Sequence, residues 1–408
     1  MAYQEVTKTS YGQRLGNSAR GIVTGLVLFV AATALLWWNE GRAVKTSKML
    51  KDSAKECVDV ADISTVDPAL DGKLIHAVAD AKTDEILTDP LYGIQVNAIR
   101  LTRDVEYYQW VEHSTSETKD KLGGGQETVT TYTYSKEWVS SPVNSNNFHD
   151  PDYQGANSVR TTIDDAEITA QKVDYGGYVL PKNLVNAIPA DTQVNLPASL
   201  GDGIDVIAQG NMLYYGNPSS PMVGDVRVTF MQANGGTASI LAKVKGNSFE
   251  PYTHKNGKSL CVLSMGNRSM EEMYEAQKAA NKMLLWLIRI LGIILIIAAL
   301  RARFSILVTI LKVLPPLAKV GELGVNLVTA VVGFIWALLV IILAWMLWRP
   351  ALAIGLAVVI CLLVAFLISK SKKAPEPAPE APAAPAAPEV SVTPAAPEAP
   401  EAPKTDAE

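Results

Sequence analysis

Gly21–Trp38 reads GIVTGLVLFVAATALLWW and carries no charge. As an α-helix it is about 27 Å long, against a hydrocarbon core of about 30 Å, so it is just long enough to span a bilayer. Trp37 and Trp38 close the run beside Asn39 and Glu40, where indoles settle at headgroup level. Lys8, Arg14 and Arg20 before it and Ala32-Thr33-Ala34 within it imitate a secretory signal and its cleavage site. The apolar run continues past that site to Trp38, which favours an uncleaved anchor.

Two further runs repeat the pattern. MLLWLIRILGIILIIAAL at 283–300 and NLVTAVVGFIWALLVIILAWMLW at 326–348 are long enough to cross, and 351–368 follows Arg349-Pro350 as a fourth span after a tight hairpin. Residues 304–314 (FSILVTILKVL) are short, carry Lys312 and stop at Pro315-Pro316, so 301–325 is expected to be an interfacial helix and loop. Basic residues flank the spans unevenly. Lys8, Arg14, Arg20, Arg301, Arg303, Lys312, Lys319, Lys370, Lys372 and Lys373 share one side if both termini are cytoplasmic. The positive-inside rule then places residues 1–20 in the cytoplasm and the large middle segment in a lumen or periplasm.

That middle segment, 39–268, is polar and rich in strand signals. Leu74–Val78, Ala98–Glu112 and Thr128–Val139 are alternating, aromatic or β-branched, with Gly123-Gly124-Gly125 joining the last two as a long hairpin. Asp205–Gln209, Asp225–Met231, Ser239–Val244 and Ser259–Leu263 are expected as later strands. Gly72-Lys-Leu-Ile-His-Ala leads to Ile99-Arg100-Leu101-Thr102, and Gly203-Ile-Asp-Val-Ile-Ala leads similarly to Val226-Arg227-Val228-Thr229, which suggests two related β-modules. Residues 43–57 read as a helical continuation of the first span. Ser269 and Glu272 have capping-box spacing, so a helix over 269–300 leads into the second span. Residues 369–408 are almost wholly Ala, Pro and Glu and cannot bury a core, which predicts a disordered tail. The fold class is therefore an α+β membrane protein with about four spans.

The net charge of −5 with mixed signs offers no basic stripe for nucleic acid. His76, His113, His149 and His254 are scattered without metal-ligand spacing, and neither metal nor cofactor is expected. No Gly-x-Ser-x-Gly elbow, Walker loop or Gly-x-Gly-x-x-Gly turn is present, leaving no motif for a catalytic residue. Three cysteines make no disulfide scaffold; Cys361 falls in a predicted span, and Cys57 and Cys261 in the middle segment are read as two free thiols ahead of a pair, because spacing alone does not establish pairing. Arg289 is a cation well inside a span, read as functional, as snorkelling or as paired within the bundle. The predicted spans contain no Asp or Glu, which argues against coupled transport. Gly21-x-x-x-Gly25 allows close helix approach, in a homo-oligomer or within the bundle.

Asn39-Glu40-Gly41-Arg42-Ala43 directly after the first span resembles a signature of the LUMA family, also called transmembrane protein 43. Asp89-Pro90-Leu91-Tyr92-Gly93, Arg103-Asp104-Val105-Glu106-Tyr107-Tyr108-Gln109-Trp110-Val111-Glu112, Glu137-Trp138, Asn144-Ser145-x-Asn147-Phe148 and Gly224-Asp225-x-Arg227-Val228 follow in the family's order. The resemblance implies a multi-span protein with a lumenal or periplasmic domain. In animals it implies the endoplasmic reticulum and inner nuclear membrane, nuclear-envelope organisation, lamin and emerin binding, and oligomerisation. The Ala/Pro/Glu tail is bacterial in style, so a bacterial cytoplasmic membrane is the expected location here. Tyr92, Trp110 and Trp138 are also plain packing aromatics. Glu40 and Arg42 are expected to pair at the membrane surface, and Asp225 and Arg227 to share a strand face in an ion pair or turn. The expected function is a non-enzymatic scaffold whose partners are membrane lipid, copies of itself and other membrane proteins. A membrane-associated enzyme ranks second and a channel or transporter third.

Overall fold

The computed structural model describes residues 3–197, 200, 206–311, 313, 315–348 and 362. Apart from Leu362, the expected fourth span (351–368) and tail (369–408) lie outside the described residues. Within them stand three helices long and apolar enough to cross a membrane.

The first, α1 (Tyr11–Glu56), begins at a capping box in which Ser10 and Gln13 satisfy each other's orphan groups. It runs unbroken through the apolar stretch and on to Glu56, as the polar pattern after Trp38 predicts. After a short helix α2 (Lys182–Val185), α3 (Met270–Leu311) opens at the expected Ser269/Glu272 box, with both reciprocal bonds formed. The last long helix is α4 (Pro315–Trp348). α1 and α3 run antiparallel, from a Ser18–Thr309 hydroxyl bond of 2.7 Å at one end to Asn281 donating to the Ala43 carbonyl at 3.1 Å at the other. Gly25 lets their backbones touch: a Cβ there would lie 2.8 Å from the Ala299 carbonyl oxygen. Gly21 faces Ala302 in the same seam, so this glycine pair serves contact within the chain.

Residues 301–325 differ from expectation. Instead of a separate interfacial helix, 304–311 form the last turns of α3, and α4 starts at Pro315 rather than near residue 326. No breaker stands between Arg301 and Leu311, and charges alone do not end a helix. Proline fits the first turn of the next one because its missing N–H is unneeded there.

The domain is built on two sheets. In the first, β1 (Tyr3–Thr9), β3 (Arg100–Asp120), β4 (Gln126–Val139), β5 (Val206–Gln209), β6 (Met212–Tyr215) and β7 (Val226–Ala233) stand in the order β1-β4-β3-β7-β6-β5. The second centres on β2 (Leu74–Lys82), antiparallel to β8 (Gly236–Lys245), with β9 (Val262–Met265) on the far side of β8. Alternation buries Val226, Val228 and Phe230 of β7 and Leu101, Val105 and Tyr107 of β3. They share one core with Ile75, Ala77 and Ile240 of the other sheet.

The suggested two-module repeat has no counterpart in this order. β2 is central in one sheet while β5 is terminal in the other, and each sheet mixes strands from both halves. A smaller cluster, with Met49 and Leu50 of α1, Met273 and Tyr274 of α3, and Leu74, Leu241 and Leu260 of the domain, seats the sheets on the helix ends. Burial of each such large side chain contributes about 1.5–3 kcal/mol, which makes the domain and the helices one packed unit there.

The β3–β4 hairpin extends beyond the domain. From His113 to Lys119 every residue of β3 is exposed. Its Gly-rich turn needs Gly123 and Gly124, at φ 87° and 84°, a region that favours glycine. The turn reaches the opposite end of the bundle: Arg14 Nη1 donates to the Gly124 carbonyl at 2.9 Å, Arg14 meets Asp120 at 2.8 Å, and the Gly123 N–H donates to the Val313 carbonyl at 3.2 Å. β1 adds a third strand, from Tyr3↔Tyr132 to Thr9↔Gln126. Residues 3–9, read as part of a plain N-terminal segment, are therefore the edge of a three-stranded ribbon.

Candidate functional site

Glu40 lies near the Ala43–Asn281 end of the α1–α3 seam and is 1% exposed. Its carboxylate receives Arg289 Nε at 2.6 Å on one oxygen and Nη2 at 2.9 Å on the other, a bidentate pair between α1 and α3. The indole N–H of Trp345 adds α4 to the same carboxylate at 2.8 Å. The Arg289 guanidinium lies 4.9 Å from the Trp286 ring centre and 5.5 Å from that of Trp345, so aromatic faces cover the charge. Gly41 makes room: a Cβ there would fall 2.7 Å from the Trp348 ring.

A second set of bonds extends the clamp by one turn. Arg42 Nη1 donates to Asn281 at 3.0 Å, and its other nitrogens donate to Asn39 Oδ1. Asn39 in turn donates to the Leu285 carbonyl at 3.0 Å, and Asn281 to Ser47. The three polar residues of Asn-Glu-Gly-Arg thus each join α1 to α3. This corrects two expectations. Glu40 does not pair with Arg42 at the surface; it is buried against Arg289. A carboxylate does accompany the intramembrane cation, because α1 continues as helix past Trp38, where hydropathy alone ends the span. Of the readings of Arg289, pairing within the bundle is the one realised.

In the domain, the matched residues have separate partners. Tyr92 donates to or accepts from the Tyr215 hydroxyl at 2.9 Å and lies edge-on to Phe230. Trp110 packs edge-on against Tyr153 with Lys136 5.0 Å from its ring centre. Trp138 stacks near Tyr108 and Tyr214, with the Arg227 guanidinium 4.4 Å above it. Asp225 is fully buried, accepting from Arg160 Nε at 2.7 Å and from the Met222 N–H at 2.9 Å. Arg227 pairs with Glu106 on the neighbouring strand. Asp225 and Arg227 are each ion-paired, as that reading allows, but not to each other. Tyr92, Trp110 and Arg227 do not converge on one cleft.

Asp89–Arg103 and Arg14–Asp120 are among the ion pairs that escaped the sequence reading. Asp89 caps the Leu91 and Tyr92 N–H groups and binds Arg103 Nη1 at 2.7 Å with no exposure of its own. Both residues stand in quoted motifs, and the signal available was an Asx-turn Asp before Pro90. The Arg14–Asp120 contact had no local signal at all. Cys57 and Cys261 are free, as expected, and burial pushes the Cys57 thiol up to about 11. Among the described residues no cluster of three His, Cys, Asp or Glu side chains could hold a metal.

Apolar helices, the polar clamp that locks them and a β-rich domain inserted between the first and second define a multi-pass integral membrane protein. The chain belongs to the transmembrane protein 43 family, whose model matches residues 107–350. It is 31% identical to transmembrane protein 43 of Rattus norvegicus over 373 residues, covering 88% of this chain and 92% of that one. The Homo sapiens protein is 30% identical over 362 residues, with 85% and 90% covered, and the Drosophila melanogaster homolog 28% over 347, with 84% and 90% covered. No solved structure matches the chain.

Proposed function

We propose that the protein is a non-enzymatic membrane scaffold that self-associates and holds its β-rich domain on the non-cytoplasmic face of the bilayer, before protein partners or the membrane surface. The observation that carries this reading is the buried Glu40–Arg289–Trp345 clamp next to the cluster of Met49, Leu50, Met273 and Tyr274. Together they fix the domain rigidly to three spans, which suits presentation rather than turnover. The aromatic and charged side chains of the family motifs named above are engaged in packing and pairing, which supports that reading.

Cross-linking in native membranes followed by affinity purification tests the reading. Recovery of multimers together with constant membrane partners upholds it, and recovery of monomer alone refutes it. Digestion of residues 140–260 by protease in inverted vesicles would reverse the proposed side. Fractionation reads the compartment: recovery in a cytoplasmic membrane upholds the bacterial reading of the tail, and recovery in the endoplasmic reticulum aligns the chain with its animal relatives.

A further inference from the structure

The β3–β4 hairpin reaches from one end of the apolar helices to the other, and β1 adds a third strand along the half nearest the turn, from Tyr3↔Tyr132 to Thr9↔Gln126. The hairpin's base lies in the domain, where Tyr107 and Val139 pair, and its turn lies at Arg14 and Val313. The thirteen residue-to-residue steps from Tyr107 to Asp120 cover about 43 Å at ~3.3 Å each. From Arg14 to Met49 α1 rises about 52 Å, with the apolar stretch 21–38 between those ends. The ribbon therefore passes the level of the bilayer.

Its surface does not suit lipid. One face carries a hydroxyl ladder, with Ser116–Thr130 at 3.0 Å and Thr118–Thr128 at 3.2 Å. The other carries Glu117, Lys119, Glu127 and Lys8. Among the described residues β1 pairs with β4 alone, and β3 from Glu112 onward pairs with β4 alone, so both outer strands present open edges. Open edges and polar strands persist at membrane depth only when protein covers them or they line water.

The two edges match each other. β1 and β3 both flank β4 antiparallel, so they run in the same direction, towards the turn. An edge of one copy can accept the opposite edge of the next as a parallel pair, and repetition of that head-to-tail contact closes a ring. We propose that copies of this chain join β1 of one to β3 of the next, forming a closed wall of strands around a water-filled centre with the apolar helices outside. This rests on the self-association in the proposed function and names the surface responsible.

Disulfide trapping in intact membranes tests it, on a full-length chain carrying Cys57→Ser, Cys261→Ser and Cys361→Ser. Thr7→Cys with Thr128→Cys are direct partners within one chain and report that the ribbon is formed. Thr7→Cys combined in turn with Ser114→Cys, Ser116→Cys or Thr118→Cys reports on neighbouring copies. Within one chain these positions are two strand spacings apart, about 9.5 Å, too far for a disulfide. The proposal expects the first pair to close within the monomer and at least one of the others to convert most of the chain into a ladder of multimers. An intrachain bond without multimers overturns the ring, and failure of the intrachain bond overturns the ribbon itself. Multimers seen by chemical cross-linking without the disulfide ladder leave the scaffold reading standing and sink this one. Monomer in both assays sinks both.

Discussion

The helix bundle and the ribbon cover the same height by opposite means. α1, α3 and α4 satisfy their backbone internally and expose Val23, Val27, Leu287, Ile294 and Leu339. Where they must carry charge, at Glu40 and Arg289, they bury it in a bidentate pair under indole rings. The ribbon leaves backbone groups on its edges and exposes hydroxyls and carboxylates. In the bundle the charged atoms lie inside, beside buried apolar side chains such as Leu36 and Ile296, and the surface is apolar. In the ribbon the surface is polar, so its stability at that level depends on what lies against it.

The largest expected effect falls on the bundle. Glu40→Ala strands Arg289 and should cost about 3–5 kcal/mol in denaturant or steric-trap unfolding in bicelles. Replacing both, Glu40→Gln with Arg289→Met, should restore most of it, and a loss below ~1 kcal/mol for the single change would break the contrast. Gly25→Val comes next, at about 1–3 kcal/mol, because the α1 and α3 backbones must part. Gly12→Ala, which meets open space, should be neutral or stabilise by about 0.4–1 kcal/mol in the same assay.

Ribbon changes should be smaller and more local. Arg14→Ala removes hydrogen bonds from a charged group, and amides 126–132 should exchange roughly tenfold to a hundredfold faster, with α3 amides unchanged. Equal loosening of both regions would show that the ribbon is not an independent element. Thr118→Val, which interrupts one rung of the hydroxyl ladder, should shift stability by only about 0.2–1 kcal/mol.

Much of the architecture was legible in residue pattern. Long apolar runs announced the three helices, Ser269 and Glu272 announced the start of α3, and Gly123-Gly124-Gly125 announced the hairpin. Each signal is local, within a few residues. Hydropathy marks where a span ends and not where its helix does: it closed the first span at Trp38, which left Glu40 outside it and apart from Arg289, and it cut α3 at Arg301. Glu40 and Arg289 were both singled out, yet their pairing joins residues 249 apart and rests on the antiparallel register of two helices. The β1–β4 pairing and the Arg14 anchor are likewise non-local, and the alternation in Tyr3–Thr9 was too short to be read as a strand. Tyr92, Trp110 and Trp138 pack against Phe230, Tyr153 and Tyr108, partners that depend on strand order, which no single strand encodes.

The account rests on the clamp, and a double-mutant cycle on Glu40 and Arg289 in lipid nanodiscs tests it most directly. Unfolding of the parent, Glu40→Gln, Arg289→Gln and the double variant should give a coupling above about 1.5 kcal/mol, the scale of a charge-assisted, desolvated contact. Additive effects, with coupling near zero, would mean the two side chains do not meet in the membrane and would contradict the structure of the bundle described above.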